Sequence, residues 1–197
     1  MKRIVLATSN AGKLREVRAL LSDLPCELVG LLDFHGVDLP EEGDDYVENA
    51  VAKAETAARA TGLPALADDS GIEVAALSGR PGPHSARYGG GSLDSPARNA
   101  RLLAELEGVP EARRAARFYC VAALARPGGR TRIATGECRG RILHAPQGAG
   151  GFGYDPIFQP EGHAVAMAEL PEADKNRLSH RARAFHALRD AIAAVVA

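Results

Sequence analysis

Two adjacent carboxylates, Asp68 and Asp69, stand in the run Ala67-Asp68-Asp69-Ser70-Gly71. Side by side they repel, and burying either one without a cation or hydrogen-bond donors is costly. A hard divalent ion suits such a pair. Mg²⁺ is held through one or two carboxylates, with water and substrate phosphates in its other positions. The upstream run Glu41-Glu42-Gly43-Asp44-Asp45 either adds a ligand or is solvated surface. The Asp-Ser-Gly chemistry of the pair equally suits an Asx-type turn.

Three other stretches carry complementary chemistry. Thr8-Ser9-Asn10-Ala11-Gly12-Lys13 reads as a polar turn between a strand and a helix. A helix N-terminus offers free N–H groups and a partial positive charge, so hydroxyls, an amide and a lysine placed there can cradle a phosphate. It is not a Walker A loop, because Ala7 and Leu14 stand where that motif needs Gly and Ser/Thr. An ordinary βα turn capped by Thr, Ser or Asn has the same composition. Gly150-Gly151-Phe152-Gly153-Tyr154-Asp155-Pro156 sets two aromatics among glycines in a chain with only 5 Phe and 4 Tyr. Glycines let a backbone approach a ligand, and an aromatic face can stack on a nucleobase. A packed turn with Phe152 in a local pocket is the alternative. Lys175 to Arg183, KNRLSHRAR, puts His180 and Arg181 in the first turn after a capping Ser179. Cations are unfavourable there unless an anionic or acceptor-rich partner is present; a basic surface turn is the plainer reading. Together the four stretches describe a nucleoside polyphosphate site.

The basic residues agree with that reading. Of 24, only Lys2, Lys13, Lys53 and Lys175 are lysine. A chain that uses Arg almost everywhere has kept Lys at three interior positions. A compact ammonium suits a point contact to a phosphate oxygen better than a planar fork.

The elements that must position these residues follow from periodicity. Lys2 to Thr8 reads as a buried strand, Gly12 to Leu21 as a helix with Leu14, Val17, Leu20 and Leu21 on one face, and Cys26 to Leu32 as a strand. Asp45 to Ala60 is a second helix behind a loop from Asp33 to Asp44. Pro64–Ala67 and Ile72–Ala75 are expected as two short strands around a turn at Asp68–Gly71. Gly79–Ser92 is loop, and Ser95-Pro96 opens a third helix with Ser95 as N-cap. Arg117–Arg126 and Arg130–Ile142 form a hairpin across Pro127-Gly128-Gly129, and one helix runs from Ser179 to Val196. Strand–helix alternation followed by a hairpin implies an α/β fold with a mixed sheet.

Composition excludes several classes. The 197 residues, 46% hydrophobic and 25% charged, describe a single globular domain over residues 1–197, with no repeat or linker. No apolar run is long enough for a bilayer span or a signal-peptide core, so a cytoplasmic protein without a membrane partner is expected. A net charge of −1 gives no basic field for nucleic acid. Cys26, Cys120 and Cys138 are too few and too scattered for a disulfide framework or structural zinc.

At these residues the chain resembles the inosine triphosphate pyrophosphatase family. The matching pieces are ATSNAGKLREV, VENAVAKA, ADDSGIEV, PGPHSARYGG, GGFGYDPIFQP and LSHRARAF, in order and nearly end to end. The resemblance implies an elongated central mixed β-sheet flanked by helices, two lobes with a cleft between them, and a homodimer. It implies Mg²⁺-dependent hydrolysis of ITP, dITP and XTP to the monophosphate and pyrophosphate, which cleanses the nucleotide pool. By motif, Thr8, Ser9, Asn10, Ala11, Gly12 and Lys13 would hold the triphosphate, with Lys53 a further phosphate ligand. Asp69 would be the catalytic acid/base and a metal ligand, Asp68 its neighbour at the metal, and Glu41 the second metal carboxylate. Ser70 would touch substrate, and Phe152, Gly153, Tyr154, Asp155, Lys175, His180 and Arg181 would form the nucleoside side. A related pyrophosphatase of septum-inhibitor type would prefer dTTP or UTP, and a nucleotide sensor would dispense with the acidic pair.

Overall fold

The computed structural model describes residues 2–196. The elements run β1 (Lys2–Leu6), α1 (Ala11–Leu20), β2 (Cys26–Gly30), α2 (Tyr46–Thr61), β3 (Ala65–Val74), α3 (Ser95–Glu105), β4 (Ala115–Ala125), β5 (Arg132–Ile142), β6 (Phe158–Pro160), α4 (Glu172–Leu178), α5 (His180–Ala187) and α6 (Arg189–Val196). The six strands form one sheet in the order β2-β1-β3-β4-β5-β6. β1 pairs in parallel with β2, from Lys2↔Cys26 to Leu6↔Gly30, and with β3 at Val5↔Ala65 and Leu6↔Leu66. β5 and β6 pair antiparallel, so the sheet is mixed as expected. A parallel pair needs a crossover connection, and α1 supplies it between β1 and β2.

The chain divides into two compact units. The first holds the described residues up to Asp69, with Cys120–Gly136 and those from His180 onward. Its core is Ile4, Leu6, Val17, Leu66, Cys120, Leu124, Phe185 and Ile192. The second holds Ser70–Tyr119 and Glu137–Ser179, around Ile72, Val74, Leu102, Phe118, Ile157, Phe158 and Met167. In that core the Phe118 and Phe158 rings meet edge to face at 4.6 Å.

Caps set the helix starts. Asn10 Oδ1 accepts from the Gly12 and Lys13 N–H groups (2.8 and 3.1 Å) and opens α1. Asp45 does the same for α2 through Val47 and Glu48, and α2 closes on Gly62 at φ 68°. α3 is capped by Asp94, one residue before the expected Ser95, which falls inside the helix ahead of Pro96.

Two further expectations are corrected. Asp68–Gly71 is not a turn: β3 runs unbroken through it. The predicted helix from Ser179 to Val196 is two helices separated at Leu188, and α4 precedes them.

Candidate active site

Along a strand, successive side chains point to opposite faces. β3 therefore sends Asp68 and Asp69, 2% and 3% exposed, to different partners. Asp68 Oδ2 lies 3.0 Å from Lys13 Nζ and 3.2 Å from Arg181 Nε. The Cys120 Sγ approaches the same oxygen at 3.9 Å. Burial opposes the Asp68 charge, but Arg181, Lys13 and Lys53 outweigh it and hold the carboxyl well below the usual carboxylate range. Burial and the Asp68 charge push the Cys120 thiol up, so it is a protonated core residue.

Asp69 faces α2. Asn49 Nδ2 donates to its Oδ2 (2.8 Å), and Lys53 Nζ lies 3.5 Å from its Oδ1. Residues 49 and 53 are four apart, hence neighbours on one helix face. Burial raises the Asp69 pKa above the ordinary carboxylate value. Lys53 and the Asn49 bond pull it down, Glu42 pushes it up, and the net is upward. Burial disfavours the Lys53 charge, yet Asp69, Asp68 and Glu42 together hold its pKa above that of free lysine.

The second carboxylate at this point is Glu42, whose Oε1 sits 2.5 Å from Lys53 Nζ. Glu41, the expected ligand, is exposed. Of the two neighbours, only Glu42 turns inward to Lys53. Among the described residues no group of three or more His, Cys, Asp or Glu could hold a metal alone. Asp69 and Glu42 do fit a hard cation. Their oxygens converge on an ammonium, and two carboxylates suffice where substrate phosphates complete the shell.

The Thr8–Lys13 turn leaves the C-terminal end of β1 beside the first residues of β3, since Ala7 N donates to Leu66 O (2.8 Å). Thr8 Oγ1 accepts from Asn10 N (3.1 Å) and Asn10 from Gly12 and Lys13. The turn is thus capped from within, and its Ser9 and Ala11 are exposed. Lys13 reaches from it to Asp68.

Arg181, at the start of α5 and 2% exposed, bridges Asp68 to Glu16 of α1 (Nη1–Oε2 2.6 Å). Burial opposes its charge, but Asp68 and Glu16 more than restore it. The expected base-contacting arginine is therefore engaged here as a counter-ion. His180 is buried beside it. Gly136 of β5 makes room for this helix start: a Cβ there would fall 2.2 Å from His180 O and 2.6 Å from Ala184 N.

The second unit holds its own cluster. Asp155 Oδ2 accepts from Phe152 N (2.8 Å) and from Lys175 Nζ (2.6 Å), which stands 4.6 Å over the Phe152 ring. Gly151 is at φ 71°, and a Cβ there would collide with the Asp155 carboxylate at 2.2 Å. Asn99 of α3 holds the loop through Gly153 O (3.1 Å). Phe152 keeps part of its surface exposed. Tyr154 belongs to the core, with its hydroxyl donating to Ser85 O (2.8 Å). Ser70 is half-buried where β3 enters this unit.

Sequence reasoning missed Glu16, Asn49 and Asn99, and named Glu42 only within the acidic run from Glu41 to Asp45. Glu16 and Asn49 had a usable signal, lying three residues after Lys13 and four before Lys53 on their helices.

Comparison with known proteins gives a consistent result. The Ham1 family matches residues 4–191. A protein of Geobacter sulfurreducens named dITP/XTP pyrophosphatase is 51% identical over 191 residues, covering 96% of each chain. One of the same name from Streptomyces coelicolor is 50% identical, covering 95% of this chain and 96% of its own. The structure of a HAM1 protein from Coxiella burnetii superposes with a TM-score of 0.87 at 42% identity, covering 98% of both chains. The Staphylococcus aureus Ham1 protein gives 0.85 at 36%, covering 97% of this chain and 98% of its own.

Proposed function

The chain belongs to the Ham1 family, and on that premise we propose that it hydrolyses purine nucleoside triphosphates outside the standard set (ITP, dITP and XTP) to the monophosphate and pyrophosphate, with Mg²⁺. The observation that carries the reading is the convergence of Asp69 and Glu42 on the Lys53 ammonium, one strand position from the Asp68–Lys13 pair. Buried opposite charges of this kind stabilise a fold poorly, and they suit a polyanion that arrives with its own cation.

Bound Mg²⁺, held by Asp69 and Glu42, would supply charge neutralisation and a lower pKa for water. The chain's own groups do the rest. Asp69 takes a proton from the attacking water as its oxygen bonds to the α-phosphorus, and the bond to the β-phosphate oxygen breaks with pyrophosphate leaving. Lys13 and Lys53 stabilise negative charge on the phosphates. Within the second unit, the part-exposed Phe152 ring under Lys175 has the aromatic face that a nucleobase would stack on.

Hypoxanthine and xanthine present a 6-oxo acceptor where adenine presents an amino donor. Donors from His180 or Arg181 would match the former and leave the latter unpaired. For Arg181 that role requires exchanging Glu16 or Asp68 for the base. No helix among the described residues is long and apolar enough to cross a membrane. A cytoplasmic homodimer, without nucleic acid, completes the proposal.

Pyrophosphate release from ITP, dITP, XTP, GTP, ATP and dTTP, with Mg²⁺ and with EDTA, tests it. Metal-dependent release confined to the inosine and xanthosine nucleotides is expected. Preference for dTTP would transfer the chain to the septum-inhibitor type, and binding without release would make it a sensor.

A further inference from the structure

Asn49 contacts both carboxylate-bearing segments at once, and it is buried, with 6% of its surface exposed. Its Oδ1 accepts from Gly43 N (2.7 Å). Its Nδ2 donates to Gly43 O (3.1 Å) and to Asp69 Oδ2 (2.8 Å). A side-chain amide has two N–H donors and one carbonyl oxygen, and all are engaged. The two bonds to Gly43 grip both ends of one residue, and that residue directly follows Glu42. The third bond fixes one oxygen of Asp69. The platform is rigid, because α2 is capped by Asp45 and buries Ala50, Ala54 and Ala57 completely.

The geometry points to Asn49 as a positioning residue that sets the spacing of Asp69 and Glu42 for a divalent cation. This rests on the function proposed above. Lys53 also touches both carboxylates, but an ammonium is a point charge with little directional demand, and it competes with an incoming cation for the same oxygens. The amide of Asn49 carries no charge and holds its partners by direction, so its bonds persist when a cation arrives. Partners of metal ligands that orient them typically contribute 10- to 100-fold in metal affinity or activity.

The test compares wild type with Asn49→Ala and Asn49→Ser, the second too short to span from α2 to Asp69 while keeping a polar group. Mn²⁺ binding to the protein saturated with α,β-methylene-ITP, whose α–β link cannot be hydrolysed and whose phosphates complete the shell, is read by electron paramagnetic resonance, and kcat and KM for ITP are measured separately. Both variants are expected to bind Mn²⁺ at least ~10-fold more weakly and to lose kcat by a similar factor, with KM for ITP within about 2-fold of wild type. Wild-type Mn²⁺ affinity in a folded variant overturns the inference. So does a rise in KM alone, which would place Asn49 in nucleotide binding, or unfolding of both variants, which would make it a purely structural residue. Wild-type protein that binds Mn²⁺ without hydrolysing ITP sinks the proposed activity and leaves the Mn²⁺ comparison to decide the role of Asn49.

Discussion

An aspartate buried beside another aspartate persists only where each has its own source of positive charge or hydrogen bonds. β3 meets that condition by pleating: Asp68 goes to Lys13 and Arg181, Asp69 to Lys53 and Asn49. The two carboxyls are consequently unlike. Asp68 is held ionised, doubly countered by cations, while Asp69 is pushed upward by burial and has a directional bond on one oxygen only. The proposed function assigns the base to Asp69. Asp69→Asn keeps the shape and removes the base, so turnover should fall by at least ~10²-fold, the range of positioned acid–base groups. Steady-state pyrophosphate release measures this, and near-normal turnover would remove Asp69 from the role.

At the scale of elements, sequence patterns placed α1, α2, α3 and the β4–β5 hairpin to within a few residues, because caps and apolar stripes are local signals. They failed where tertiary partners decide. Asp-Asp-Ser-Gly has the composition of a turn, yet it is strand, because Lys13, Lys53 and Arg181 lie far away in the chain and supply the charge that makes a buried strand there tolerable. That Glu42 and not Glu41 reaches Lys53 depends on how an irregular segment turns, and no periodicity reports that. The separation of α5 from α6 at Leu188 has neither Gly nor Pro to announce it. Gly136 shows what such packing demands: it looks like a strand glycine of no consequence, but it admits the first turn of α5, which carries His180 and Arg181. Gly136→Ala should therefore displace that turn. The expected cost is about 1–3 kcal/mol, as for other overpacked sites, with a loss of ITP hydrolysis larger than the stability loss explains. Thermal unfolding and kinetics on the same preparation check it; unchanged activity would show that α5 tolerates the shift.

For the whole molecule, net charge is only −1, so overall repulsion has little influence near neutral pH and individual carboxylates set the response to acid. Asp68 dominates. Its folded-state pKa lies below the unfolded value near 3.9, so the unfolded chain takes up the proton first, and stability rises with pH through that region. Its contribution is complete above about pH 5 and is lost progressively as pH falls below 4. Asp69 has the opposite sign. Its pKa is raised, so charging it as pH increases opposes folding, and its slope partly offsets that of Asp68. Wild type should accordingly lose melting temperature between pH 5 and 3. Asp68→Asn should start lower at pH 7, by about 3–5 kcal/mol, because Lys13 and Arg181 are left with an uncharged neighbour in a buried setting. It should then fall less steeply than wild type, so that the two melting curves converge in acid. Calorimetry at half-unit steps from pH 7 to pH 3 reads both the offset and the slope. Parallel curves would mean that acid sensitivity resides in other carboxylates and that the Asp68 cluster contributes no pH-dependent stability.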